Sequence, residues 1–228
     1  MTQVAIDGPA SSGKSSVGTR VAAELGYGFL DTGLLYRAVT RAALDAGAQL
    51  DALAGSDKLS AAQIEQVVQL AHLTDVDLES GGASIIVDDR NFAASELESE
   101  AVERAVAAVA ALADVRAALR TIQREIAMRG GVVLAGRDIG TVVYPEARHK
   151  FFLDASAEAR ALRRALQRGY AAESVEHHEA LRSLVARDQE DRTRAVAPLR
   201  AADDAQVILT DDLGLTDVVD LIVRQVRR

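Results

Sequence analysis

The segment Val4-Ala-Ile-Asp7-Gly8-Pro-Ala-Ser-Ser-Gly13-Lys14-Ser15-Ser16-Val17 changes character twice. A short apolar run stops at Asp7 and a Gly-Pro turn, and Val17, Val21, Ala22 and Leu25 then recur at helical spacing, so the order predicted is strand, loop, helix. Within it, Gly8 to Ser15 matches G-x-x-x-x-G-K-[ST] in the context that pattern requires. The glycines let backbone N–H groups turn inward around phosphate oxygens, and the N-terminus of the following helix favours negative charge. Lys14 is expected at the β- and γ-phosphates of a nucleoside triphosphate, and Ser15 at Mg²⁺. The whole loop is expected to contact ATP: Gly8, Pro9, Ala10, Ser11, Ser12, Gly13, Lys14, Ser15 and Ser16.

Outward from the loop, Phe29-Leu30 reads as a second buried strand and Leu34 to Ala46 as a second helix, which makes a βαβα start. A helical stretch from about Ala61 to Ala71 precedes a change at Asp75 to Asp88. There Val76 and Leu78 alternate with acids, Gly81-Gly82 offers a turn and Ser84 to Val87 is apolar, which predicts a hairpin. Glu96 to Met128 reads as two helices divided near Ala113-Asp114. Val132 to Ala135, Phe151 to Leu153 and Val207 to Leu209 are further continuous apolar runs. Continuous rather than alternating runs suit strands covered on both faces, as in a parallel sheet. The expected fold is therefore α/β, a doubly wound three-layer P-loop architecture on a five-stranded parallel sheet, with a small inserted subdomain and a helical flap around Gly169-Tyr170.

Composition narrows the function. A chain of 228 residues that is 49% hydrophobic can bury a sizeable core. Without cysteine there is no disulfide, thiolate metal site or cysteine nucleophile, and four scattered histidines make a poor zinc set. The longest apolar run, Ala105 to Ala113, falls short of the roughly 18 residues that span a bilayer, and Met1 to Asp7 lacks a basic leader region, so a soluble cytoplasmic protein without a membrane partner is expected. A net charge of −8 argues against a nucleic-acid surface but permits a local cationic pocket for a small anion. Only three of the 26 basic residues are lysines, and Lys14 is the one inside the Gly-rich loop.

Three motifs stand where an acceptor would bind. Asp31-Thr32-Gly33-Leu-Leu-Tyr36-Arg37 follows the second strand and Gly136-Arg137-Asp138-Ile-Gly140 the third run, both at the carboxyl edge where open parallel sheets take ligands. Arg187, Asp191 and Arg194 fall within about 60° on one helical face, two cations flanking a carboxylate. Arg116, Arg120 and Arg124 recur every four residues on another helix. Arg160, Arg163, Arg164 and Arg168 share a broad face with only Glu158 nearby, as an arginine-lined lid over a transferring phosphoryl group would.

In that order, GPASSGKSS, DTGLLYR, GRDIGTVV and RDQEDRTRAVAPL resemble the bacterial cytidylate kinases of the P-loop nucleoside monophosphate kinase family, over nearly the whole chain. The resemblance implies transfer of the ATP γ-phosphoryl group to CMP or dCMP, with Mg²⁺. It implies a core of about 1–60, 114–156 and 184–228, an acceptor-binding insert of about 61–113 and a lid of about 157–183. On matching positions it puts Thr32, Arg116, Asp138 and Arg194 at cytosine and Arg187 and Asp191 at ribose. Arg37 and Arg137 clamp the acceptor phosphate beside Tyr36, and Arg160 and Arg164 meet ATP. Lys14, Arg37 and Arg137 carry the catalysis. The chemistry agrees: a carboxylate accepts from the cytosine amino group, while arginine donates to its carbonyl and ring nitrogen.

The chain departs from the family pattern at three places. Ala135 stands where Asp or Glu is usual, Leu97-Glu98-Ser99 where I-R-T is common, and Ala107 where a serine can touch the ribose. Three rival readings are weaker. Leu30-Asp31-Thr32-Gly33 with the later G-R-D suggests a retroviral-type aspartic peptidase, but such folds are almost wholly β and leave Lys14 unexplained. Asp211-Asp-Leu-Gly214 mimics the D-x-x-G of P-loop switch proteins but follows the last strand. A kinase of UMP, AMP or shikimate lies within the same class. A monomer is expected, since no obligate interface is visible in the sequence.

Overall fold

The computed structural model describes residues 2–50, 59–79, 82–194 and 196–228. Five strands form the central sheet: β1 (Gln3–Asp7), β2 (Gly28–Asp31), β6 (Val132–Gly136), β7 (His149–Asp154) and β8 (Gln206–Leu209). Their order is β2-β6-β1-β7-β8, every pairing is parallel, and β1 lies at the centre. These are the five apolar runs of the sequence.

In β1, β2 and β6 the continuity of these runs has the expected cause, whereas in the edge strand β8 only Ile208 is buried and Val207 and Leu209 are exposed. Val4 and Ile6 of β1, Phe29 of β2 and Val133 and Ala135 of β6 pack on one side with α1 (Lys14–Leu25) and α9 (Leu215–Val226). The intervening Ala5, Leu30, Val132 and Leu134 pack on the other with α2 (Gly33–Asp45) and α6 (Ala113–Arg129). A strand points successive side chains to opposite faces, so covering both faces demands an unbroken apolar run. The three-layer α/β architecture follows.

Between α2 and α6 stand α3 (Ala61–His72), β3 (Thr74–Glu79), β4 (Gly82–Val87), β5 (Arg90–Asn91), α4 (Ala94–Leu97) and α5 (Glu100–Ala111). The hairpin predicted over 75–88 is β3 and β4, and its Gly81 turn lies outside the described residues. The structure adds β5, which makes the small sheet three-stranded. Asp88 and Asp89 join β4 to β5 with φ of 50° and 62°, the two positive values that a tight hairpin turn needs. Val67, Val76, Ile85, Val87 and Val109 of this region share one apolar cluster with Leu30, Leu35 and Leu134.

The helical hairpin predicted around Gly169 is α7 (Ala157–Gln167) followed by α8 (Val175–Thr193). Ser156 and Ser174 cap the two helices by accepting from Ala159 and His177 N–H. A π-helical turn, Ile139–Val143, directly after the Gly136-Arg137-Asp138 motif, was not foreseen either.

Candidate active site

The phosphate loop leaves the carboxyl end of β1 and enters α1 at Lys14. Gly8 has φ of +148°, and a Cβ there would lie 2.1 Å from the Leu153 carbonyl oxygen, so no side chain fits where the loop crosses β7. Ser12 is buried. Lys14 Nζ folds back to donate to the Pro9 carbonyl at 2.6 Å and to Ser12 Oγ at 3.4 Å. Burial, and then the nearby Arg137, lower its pKa to about 7. Bound phosphates would reverse that balance.

Two clefts meet at the loop. The larger, about 650 Å³, is lined by Lys14 and Ser15 together with residues of all three acceptor motifs. Thr32, Tyr36 and Arg37 enter it from α2, and Arg137 and Asp138 from the turn after β6. Arg187, Asp191 and Arg194 enter from α8, and Arg116 from α6. Elements more than 150 residues apart in sequence therefore converge at the carboxyl edge of the sheet, as ligand sites of open α/β folds do. Of the arginines spaced by four on α6, Arg116 alone reaches this cleft. Arg120 is exposed, and Arg124 holds Glu146 at 3.1 Å and the Val143 carbonyl at 2.7 Å.

Within the cleft some of the charges are paired. Asp138, 6% exposed, accepts from Arg116 at 2.5 Å, and Arg194 stands 3.8 Å from its other oxygen. Asp191 is ion-paired with Arg137 and lies 3.4 Å from Arg194. Arg137 is nonetheless pushed down to about 9, by burial first and then by the cations of Arg187 and Arg194. Arg187 is lowered too, by burial and Arg37. Cations held this close, with fewer carboxylates than they need, form a site that gains by taking up an anion. The Arg116 guanidinium also lies 5.7 Å from the centre of the Tyr36 ring, and Arg37 donates to the Leu97 carbonyl at 3.0 Å. Thr32 lines the cleft, and its Oγ1 donates to the Ala135 carbonyl at 3.0 Å. Gly136 admits no Cβ, which would sit 2.8 Å from that same hydroxyl oxygen.

The smaller cleft, about 550 Å³, runs along the other side of the loop from Ser11 to Val17, and its far wall carries Leu213, Leu215 and Val218. Arg164 lines both clefts. Arg163, which the sequence did not single out as an ATP contact, lines this one and donates to Thr210 Oγ1 at 3.0 Å.

Arg160 requires a correction. Expected among the ATP contacts, it lines neither cleft. It is 3% exposed, and its guanidinium donates to the Ala155 carbonyl at 3.0 Å, the Ala10 carbonyl at 3.1 Å and Asp188 at 2.5 Å. Its role here is to pin the phosphate loop to α7 and α8. Nor is Glu158 the neutralising partner of the α7 arginines. Arg164 is ion-paired with Glu103 of α5, which also holds Arg168 at 2.6 Å. Arg164 is lowered to about 10, burial and the cations of Arg168 and Arg187 being the main causes.

The missing carboxylate at Ala135 has a neighbour that supplies one. Ala135 faces the α1 side of the sheet, in register with Asp31 on β2, and Asp31 accepts from Ser15 Oγ at 2.5 Å. A hydroxyl and a carboxylate at the phosphate loop are hard oxygen donors of the kind that hold Mg²⁺, which keeps several waters and leans on substrate phosphates for the rest. The residues present therefore fit that ion. Among the described residues there is no cluster of three or more His, Asp or Glu side chains that would hold a metal alone.

A phosphate loop joined to a cation-rich cleft on this sheet defines a P-loop kinase of small molecules. The comparisons with known proteins agree and go further. The family model described as cytidylate kinase matches residues 4–228, so the chain belongs to the cytidylate kinase family. It is 41% identical to a cytidylate kinase of Limosilactobacillus fermentum, over 99% of this chain and 96% of that one. Identity is 40% to a cytidylate kinase of Rhodopseudomonas palustris, over 96% and 94% of the two chains. It is also 40% to one of Pelotomaculum thermopropionicum, over 98% and 95%. No described helix is long and apolar enough to cross a membrane.

Proposed function

We infer that this chain transfers the γ-phosphoryl group of ATP to CMP, giving CDP and ADP, with dCMP as a second acceptor. The observation that carries the reading is the cluster of Arg116, Asp138 and Arg194 in the same cleft as Lys14 and Ser15. Asp138 would accept from the cytosine amino group while Arg116 and Arg194 donate to the ring, with Thr32 beside them. Uracil would set a carbonyl oxygen against that carboxylate and leave a buried charge unpaired.

In this reading the ribose meets Arg187 and Asp191, and the CMP phosphate displaces Asp191 from Arg137 and is clamped by Arg137 and Arg37 beside Tyr36. An oxygen of that phosphate attacks the γ-phosphorus, a P–O bond forms, and the bond to the bridging β–γ oxygen breaks, leaving ADP. Charge spreads over the transferring oxygens, and Lys14, Arg37, Arg137 and Arg164 stabilise it. The backbone of Gly8 to Ser16 cradles the triphosphate, and the apolar wall of the smaller cleft takes the adenine. Ser15 and Asp31 would hold Mg²⁺, which neutralises phosphate charge when bound.

Residues 61–113 act as the acceptor-binding insert and 157–183 as the lid, the remainder forming the core. A monomer is part of this reading. A cytoplasmic location belongs to the same reading, since ATP and CMP are drawn from that compartment. The test is ADP release followed with and without CMP, and with Mg²⁺ replaced by a chelator. Release that requires both CMP and Mg²⁺ is expected, and release indifferent to CMP would refute the reading.

A further inference from the structure

Asp7 lines neither cleft and takes no part in the chemistry above. It is the last residue of the central strand β1, immediately before Gly8, and it is 4% exposed. A buried carboxylate is costly unless hydrogen-bonded, and here both oxygens are used. Oδ1 accepts from the Ile139 N–H at 2.8 Å and Oδ2 from the Gly140 N–H at 2.7 Å. These amides open the π-helical turn, where N–H groups lack partners within the turn and favour an anion.

The turn so held begins directly after Arg137 and Asp138. Asp138 enters it with φ −145° and ψ 26°, neither strand nor helix, and its direction depends on what fixes the next two residues. Little slack exists around it. A Cβ at Gly140 would stand 3.3 Å from Asp7 Oδ2 and 3.1 Å from Lys150 Cδ, while one at Gly136 would meet Ile139 Cδ1 at 2.7 Å.

We propose that Asp7 is a positioning residue for acceptor recognition: by holding the Ile139 and Gly140 amides it aims Arg137 and Asp138, and it ties that aim to the first residue of the phosphate loop. The proposal rests on the phosphoryl-transfer reading for its kinetic consequence and on geometry alone for its structural one. Asp7→Asn keeps the size but can accept from only one of the two amides, because its other terminal atom is a donor.

In the full-length protein, amide hydrogen exchange at Ile139 and Gly140 should become about tenfold or more faster in Asp7→Asn, while the amides of β1, β6 and β7 keep their protection. The KM for CMP should rise about tenfold with that for ATP within about twofold. Gly140→Ala presses on the same contact from the other side and should give a smaller shift of the same selectivity. Unchanged exchange at Ile139 and Gly140 would overturn the proposal. So would a parallel rise of both KM values with deprotection across the sheet, which would mark a purely structural residue. Exchange needs no turnover, so its result is independent of whether CMP proves to be the acceptor.

Discussion

Replacing Asp138 by asparagine separates base recognition from everything else the acceptor cleft does. The substitution preserves shape and leaves one carbonyl oxygen for Arg116, now 2.5 Å from Asp138 Oδ2, but it removes the charge and turns the other oxygen into a donor. A hydrogen bond to a charged group is worth about 1.5–3 kcal/mol, so kcat/KM for CMP should fall about 10- to 150-fold. For UMP the sign is opposite, because an amide N–H can donate to the uracil carbonyl that the carboxylate repels, and its kcat/KM should hold or rise. Loss of the ion pair also carries a folding cost. Breaking a buried pair costs about 3–5 kcal/mol, and this one opens onto a cleft and keeps one hydrogen bond, so about 1–3 kcal/mol is expected. That corresponds to a fall in Tm of roughly 2–10 °C for a domain of this size. The assay is coupled ADP release with CMP and UMP at saturating ATP, alongside thermal melting. Equal losses for the two acceptors would refute base reading by Asp138.

Three further perturbations follow from the same geometry. Lys14→Ala should lower kcat by about 100- to 1,000-fold or more while the melting temperature stays within a few degrees, since among the described residues Lys14 bonds only Pro9 and Ser12; near-normal turnover would remove the loop from the chemistry. Glu103→Gln should release Arg164 and Arg168 toward ATP and lower its KM by roughly 1.5- to 5-fold, the scale of a partly exposed ion pair, and a raised KM would show that Glu103 instead holds the lid in its productive place. Asp7 gives a pH signature in stability. Burial raises its pKa from 3.8 to about 6 against the pull of the two amides, with Asp138 raising and Lys14 lowering it further. The native state then binds more protons than the unfolded one between those values, so stability present below about pH 4 is lost as pH rises through about 6. The loss approaches about 3 kcal/mol, and the Tm of Asp7→Asn relative to the parent should improve between pH 4.5 and 7.5. A constant difference would mean that Asp7 does not titrate in this range.

The fold was legible where burial imposes a pattern. The apolar runs of β1, β2 and β6 had to be continuous because α1 and α9 cover one face and α2 and α6 the other, whereas Val207 and Leu209 of the edge strand β8 are exposed. β5 was not legible, since two exposed residues carry no periodicity and the Asp88-Asp89 turn lacks the glycine that usually marks such a hairpin. The π-helical turn was hidden by a sequence, Ile-Gly-Thr-Val-Val, whose β-branched residues point toward strand; its amides are held by Asp7 from 132 residues away.

Site residues divide in the same way. Arg187, Asp191 and Arg194 were placed together by helical spacing, and they line one cleft. Helical spacing also put Arg160 with Arg164, yet Arg160 is drawn inward by Asp188 and Ala10, and Arg164 toward Glu103. A helical wheel shows which way a side chain starts; its partner lies on another element. Asp31 is the parallel case, because only the register of β2 with β6 brings it to Ser15 beside Ala135.

The central claim is the identity of the acceptor, and turnover across acceptors tests it most directly. ADP release with ATP and Mg²⁺ should be fastest with CMP or dCMP, much slower with UMP, and near background with AMP and shikimate. Turnover of AMP, UMP or shikimate equal to or faster than that of CMP would contradict it.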